Sequence, residues 1–145
     1  MKSSKILVTG AFGLVGSDLI PVLQKKHGKD NVFAMGNKTI PEGFVGQLVT
    51  GDVRDFASLE KIIKDHGITE VYHLAGLLSV GGEKNPDLAW DVNINGLRNI
   101  LELSRTYGFR IFWPSSIAAF GPTTPKHNTP QQTVLEPTTI YSGLS

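Results

Sequence analysis

The chain has 145 residues, a formal net charge of +1 and no cysteine. That length suits one domain with a real core, and the missing thiols exclude disulfides and thiolate metal sites. Hydrophobic residues make up 40% and charged residues 19%, which fits a globular class rather than a disordered one, and no basic block marks a nucleic-acid surface.

The elements follow in chain order. An apolar strand over about Lys5–Thr9 runs into Gly10-x-x-Gly13-x-x-Gly16. A helix follows from about Gly13 to His27, with Leu19, Ile20 and Leu23 on one face, Gly28 as its stop and Pro21 expected to bend it. Strands are expected over about Asn31–Met35 and Gln47–Thr50. A second helix starts after Asp55, a suitable N-cap, and ends at Gly67, with Leu59, Ile62 and Ile63 at helical spacing. A strand over about Glu70–Leu74 precedes one long helix. That helix starts at Asn85-Pro86, carries Leu88, Val92, Leu97, Ile100 and Leu101, and ends by Gly108. A fifth strand covers about Arg110–Trp113. Strands alternating with helices imply a parallel sheet with helices on both faces. Gly121 to Ile140 holds four prolines (Pro122, Pro125, Pro130, Pro137) and reads as a long irregular loop, either covering a site or a loose tail.

The first strand-to-helix junction carries the clearest chemistry. Gly10 permits a sharp turn, Gly13 lets the backbone approach a pyrophosphate, and Gly16 lets the helix pack near the strand. The amides of Leu14 and Val15 at the helix start would face the phosphates, aided by the helix dipole. This spacing behind a first strand points to a dinucleotide. The four histidines (His27, His66, His73, His127) are scattered and read as surface or packing residues, so no metal site is expected. No apolar run is long enough to span a membrane, and the start, Met-Lys-Ser-Ser-Lys, leaves no room for a signal peptide. A cytoplasmic location, no nucleic-acid partner and no membrane partner are therefore expected.

Several further segments, taken in order, resemble the extended short-chain dehydrogenase/reductase superfamily, which includes sugar-nucleotide epimerases. Thr9-Gly10-Ala11-Phe12-Gly13-Leu14-Val15-Gly16 is similar to its cofactor fingerprint. Gly51-Asp52-Val53-Arg54-Asp55 is similar to the turn whose aspartate and next residue hold adenine. His73-Leu74-Ala75-Gly76 is similar to the turn lining the cofactor, and Asn93-Ile94-Asn95-Gly96 to the helix motif whose first asparagine supports the active site. Pro114-Ser115-Ser116 is similar to the strand end whose second serine is catalytic, and Tyr141 stands where the catalytic tyrosine belongs. Leu74-Ala75-Gly76-Leu77-Leu78-Ser79 and Pro114-Ser115-Ser116-Ile117-Ala118-Ala119-Phe120-Gly121-Pro122 resemble the short-chain type of L-threonine 3-dehydrogenase, over the N-terminal half only.

The resemblance implies an α/β fold, a Rossmann-type parallel sheet truncated before the substrate domain. Residues 1–120 would be the dinucleotide-binding domain and residues 121–145 a Pro-rich active-site loop with a truncated end. It implies NAD as cofactor, held by Gly10, Gly13, Leu14, Val15, Gly16, Asp52, Val53, Leu74, Ala75, Gly76 and Asn93. It implies a small amino-acid substrate contacted by Ser79, with Ser116 and Tyr141 catalytic, and oxidation of threonine to 2-amino-3-ketobutyrate. A phenol with a reference pKa of about 10 is ionised only to about a thousandth at neutral pH. Family members favour the phenolate with a lysine four positions later, where this chain has Ser145. Weak or no dehydrogenase activity is therefore expected of the chain alone.

A second departure concerns the ribose. An acid is expected about twenty residues after the last glycine, but the second strand ends Met35-Gly36-Asn37-Lys38. Either Asn37 and Lys38 accept the extra phosphate of NADP, or affinity for NAD is weaker. The helix at about 86–107 is expected to mediate homo-oligomerisation, since related enzymes pair it with a helix missing here. Two alternatives stay open: a sugar-nucleotide epimerase or dehydratase fragment, and a dinucleotide-binding module without catalysis.

Overall fold

The computed structural model describes residues 4–36 and 40–138. Its centre is β1 (Ile6–Thr9), all four of whose residues are buried. β2 (Val32–Gly36) pairs with one side of β1 and β4 (Glu70–His73) with the other. β3 (Gln47–Thr50) extends the sheet beyond β2, and β5 (Arg110–Phe112) extends it beyond β4. All four pairings are parallel, in the order β3-β2-β1-β4-β5. Thr9 stands opposite Met35 on one side and His73 on the other. The chain steps outward from β1 to β3 and then crosses back to β4. Connections leave β1 and β4 in opposite directions, and this divergence opens a crevice at their C-terminal ends.

Side-chain alternation along the strands builds one core on each face. Ile6, Val8, Val32 and Ala34 pack with Ile20 and Leu23 of α1 (Leu14–His27). Leu7, Phe33 and Val71 face the other way, with Leu59 and Ile63 of α2 (Phe56–His66) and Ile100 and Leu103 of α5 (Gly96–Tyr107). The expected parallel sheet with helices on both faces is therefore present. α1 runs unbroken through Pro21. The Asp55 carboxylate caps α2 by accepting the Ser58 amide at 3.0 Å, and Gly67 ends it in the left-handed region with φ +61°.

The segment after β4 differs from the sequence reading. A short helix, α3 (Ser79–Lys84), precedes α4 (Pro86–Trp90), which Asn85 caps by accepting the Leu88 amide at 3.2 Å. The expected single helix from Pro86 to Tyr107 is interrupted by a π turn over Asp91–Asn95 before α5 begins. The two ends of that helix therefore differ in which faces they present. β5 ends at Phe112, one residue early, and β4 ends at His73 rather than Leu74.

The Pro-rich segment is irregular but tied. The Thr124 hydroxyl accepts from the Gly121 amide at 3.1 Å and donates to the Val134 carbonyl at 2.7 Å. Thr123 donates to the Glu136 carboxylate at 2.6 Å. These bonds close residues 121–136 into a loop whose ends meet, which a loose tail would not do. Among the described residues no helix is long and apolar enough to cross a membrane.

Candidate active site

The glycines of the first junction divide their work between packing and access. Gly10 has φ +63°, and a Cβ there would lie 2.6 Å from the Leu74 carbonyl carbon and 2.7 Å from the Ala75 amide. Its small size therefore lets β1 close on the turn after β4. A Cβ on Gly16 would lie 2.5 Å from the Ala11 and Gly10 carbonyl oxygens, so the start of α1 presses directly on the loop. Gly13 is different. A Cβ there would meet only the Gly10 oxygen, at 3.3 Å, and otherwise opens outward. Gly13 is also the N-cap of α1 and supplies no side chain to cap it. The first amides of a helix lack intrahelical partners, so this end favours an anion. Leu14 and Val15 form this first turn and are exposed.

A cleft of about 390 Å³ lies over this junction, between the C-terminal ends of β1, β2 and β4. Gly10, Gly13, Asp52, Val53, Ala75 and Gly76, all among the residues expected to hold the cofactor, line it. Phe12, Met35, Gly36, Arg54, Leu77, Leu88 and Val92 line it as well. A second cleft of about 300 Å³ adjoins it, lined by Val15, His73, Leu74, Asn93 and Trp113 to Ser116. Ala75, Gly76 and Leu77 line both, so the two clefts run on from each other across the β4 turn. An elongated ligand laid from β2 to β5 would span the pair.

Asn93 fixes this shared turn. Its Oδ1 accepts the Leu77 amide at 2.8 Å, and its Nδ2 donates to the Leu77 carbonyl at 3.2 Å. It sits within the π turn, a feature often found at functional sites. Thr9 fixes the other end. Its hydroxyl oxygen accepts from the Leu74 and Ala75 amides, each at 3.2 Å, which uses both lone pairs. The hydroxyl proton is then left for His73 Nδ1, at 2.8 Å. His73 is thus neutral, with its hydrogen on Nε2. Burial pushes its pKa down to about 4. Of the two places left open for this histidine, surface or packing, the structure gives the buried one, with a polar duty added.

In the first cleft Asp52 receives Arg54 through Nε at 3.0 Å and Nη2 at 2.7 Å, and accepts the Arg54 amide at 3.0 Å. Arg54 Nη1 also lies 3.6 Å from the Asp91 carboxylate. The hydrogen bonds it donates to Asp52, and the charge of that carboxylate, raise the guanidinium pKa. At the other end, Ser116 caps a 3-10 turn over Ile117–Ala119 by accepting the Ala118 amide at 3.1 Å. Its hydroxyl proton remains available in the second cleft. Ser116 and Asn93 thus line one cleft. Tyr141, Asn37, Lys38 and the Ser79 side chain lie outside the described residues.

Known proteins share this arrangement. The model of the NAD dependent epimerase/dehydratase family matches residues 6–143. The chain belongs to that family. An uncharacterized epimerase/dehydratase from Staphylococcus saprophyticus is 43% identical over 140 residues, which is 94% of this chain and 44% of the relative. The holo form of an L-threonine dehydrogenase from Cupriavidus necator superposes with a TM-score of 0.92 at 45% identity, over 97% of this chain and 46% of that one. A UDP-glucose 4-epimerase from Thermus thermophilus, in complex with NAD, gives 0.78 at 25% identity, over 96% of this chain and 46% of that one. The chain therefore spans less than half the length of these relatives. The Rossmann-type sheet matches the N-terminal half of threonine dehydrogenase structures. The family's nicotinamide dinucleotide fits the clefts, because Gly13 opens into the first of them and no side chain caps the helix behind it.

Sequence reasoning misses Thr9, Phe12, Arg54, Leu77, Leu88 and Val92 as lining or supporting residues. Leu88 and Val92 carry a helical period that reads as core. Phe12 and Arg54 stand inside quoted segments whose other residues carry the expectation.

Proposed function

We propose that this chain is the cofactor-binding half of an NAD-dependent dehydrogenase acting on the side-chain hydroxyl of threonine. The observation that carries the reading is Gly13, open to the first cleft at an uncapped helix start. The stronger likeness to threonine dehydrogenase, at 45% identity against 25% for the epimerase, supports this side of the family.

When bound, the dinucleotide supplies the acceptor for the hydride that leaves the substrate's hydroxyl-bearing carbon. The Gly13–Gly16 turn binds its phosphates, and Asp52 and Val53 hold the adenine. Leu74, Ala75 and Gly76 line its path, and Asn93 keeps that turn in place. Ser116 donates its hydroxyl proton in a hydrogen bond to the substrate oxygen and orients it. Tyr141, as phenolate, takes the proton from that oxygen, and Ser79 contacts the polar end of the amino acid. The product is 2-amino-3-ketobutyrate. Residues 1–120 form the dinucleotide domain in this reading, and residues 121–145 the active-site loop with its C-terminal extension. Trp90 and Leu101, 55% and 52% exposed on the α4–α5 face, support association of two copies there.

Ser145 stands where the family pattern has a lysine beside the tyrosine, so the phenolate lacks its main charge partner and turnover by this chain alone is weak. The test is titration with NAD by calorimetry, followed by NADH absorbance with threonine. Binding with slow or no turnover is the expected result. Failure to bind any nicotinamide dinucleotide would overturn the reading, and turnover at an ordinary enzymic rate would overturn the expected impairment.

A further inference from the structure

In open α/β sheets the adenosine ribose lies beyond the end of the second strand. There an acid takes its 2′-hydroxyl, or an arginine takes a 2′-phosphate. Here β2 ends at Gly36, and a Cβ on it would lie 2.8 Å from Phe12 Cε2. The Phe12 ring therefore stands against the place a β2 side chain would use. It is held there from behind, edge-on to Phe44 with centroids 5.2 Å apart and planes at 85°. Phe44 is fixed in turn. Its amide donates to the Pro41 carbonyl at 3.3 Å, and Gln24 Nε2 donates to the neighbouring Val45 carbonyl at 3.1 Å. Among the described residues the cation lining the same cleft, Arg54, is engaged by Asp52 and stands near Asp91, so the trio carries a net negative charge.

We infer that Phe12, backed by Phe44, is the specificity-determining residue that makes this site select a dinucleotide with a free ribose 2′-hydroxyl over its 2′-phosphate. A 2′-phosphate pressed on this ring loses hydration and gains no donor from it. A hydroxyl loses far less. The inference rests on the dinucleotide reading proposed above.

Calorimetry with ADP-ribose and 2′-phospho-ADP-ribose tests it without calling on the catalytic residues. The wild-type chain should bind ADP-ribose about 100-fold more tightly. Phe12→Leu keeps an apolar wall and should keep that ratio within about threefold. Phe12→Arg places a donor fork at the ribose and should narrow the ratio by about tenfold or more. Phe12→Ser should narrow it in the same direction, and serves if circular dichroism shows that the arginine variant does not fold. Equal binding of the two ligands by wild type, or an unchanged ratio in the folded arginine or serine variant, would overturn the inference alone. So would tighter binding of the phosphate that Lys38→Ala abolishes. If neither ligand binds, the dinucleotide reading falls and takes the inference with it.

Discussion

Replacing Thr9 by valine tests whether the site is assembled from the sheet outward. Valine matches the shape of threonine but not its hydroxyl. The hydroxyl serves three groups: the Leu74 amide, the Ala75 amide and His73 Nδ1. Leu74 keeps a second acceptor, the Thr9 carbonyl at 3.2 Å. The Ala75 amide and the buried ring nitrogen lose the partner that Thr9 supplied. Each orphaned buried group costs about 1–3 kcal/mol, and the partly buried amide falls at the low end. Thr9→Val should therefore lower the unfolding free energy by about 2–4 kcal/mol, a large share of the total for a domain of this size. Thr9→Ser keeps the hydroxyl and loses one buried methyl, for about 1 kcal/mol. Urea titrations read by far-UV circular dichroism give both values, and an unchanged slope would show that stability alone has moved. A valine variant within about 0.5 kcal/mol of wild type, or one more stable than the serine variant, would refute the reasoning.

The same network predicts a pH dependence. His73 has a folded pKa of about 4 against 6.5 unfolded, so the unfolded chain binds the extra proton between those values. Stability from this group is full above pH 6.5 and is lost as pH falls toward 4, for about 3 kcal/mol in all; a His73→Phe variant should flatten the curve there, and an unaltered one would contradict the assignment. Among the glycines, Gly13→Ala should stay within about 1 kcal/mol of wild type in stability yet bind NAD at least about tenfold more weakly. Gly16→Ala should lose about 3 kcal/mol or more, because its Cβ meets backbone oxygens at 2.5 Å. Equal behaviour of these two variants in both assays would count against their separate roles. Asn93→Ala should speed hydrogen exchange at the Leu77 amide and cost about 1–2 kcal/mol, and unchanged exchange would show that the turn is held by something else.

The parts of this fold that are legible in the sequence are those fixed by neighbours along the chain. β1, the glycine turn and α1 follow from one short run, and Asp55, Gly67 and the Asn85-Pro86 pair mark helix ends through local capping chemistry. α3 is not legible because Gly81 and Gly82 sit inside it and weaken any helical signal. The π turn hides because its residues keep an approximately helical hydrophobic spacing. The tie between Thr9 and His73 joins residues 64 apart, and only the sheet register brings them opposite each other. Leu88 and Val92 show why spacing alone falls short: it marks an apolar face without saying whether a sheet or a ligand covers it.

The π turn over Asp91–Asn95 also governs which changes of length this region tolerates. A wider coil holds one residue more than a regular helix needs to cover the same rise. Removing a single residue other than Asn93 there would let the coil close to a regular helix over the same rise, leaving α4 and α5 in nearly the same relative setting. The same loss inside α5, which has no residue to spare, would turn everything upstream of it by about 100°. A deletion scan should therefore find the wide coil more tolerant of losing one residue than α5, so long as the amide clasping Leu77 is kept.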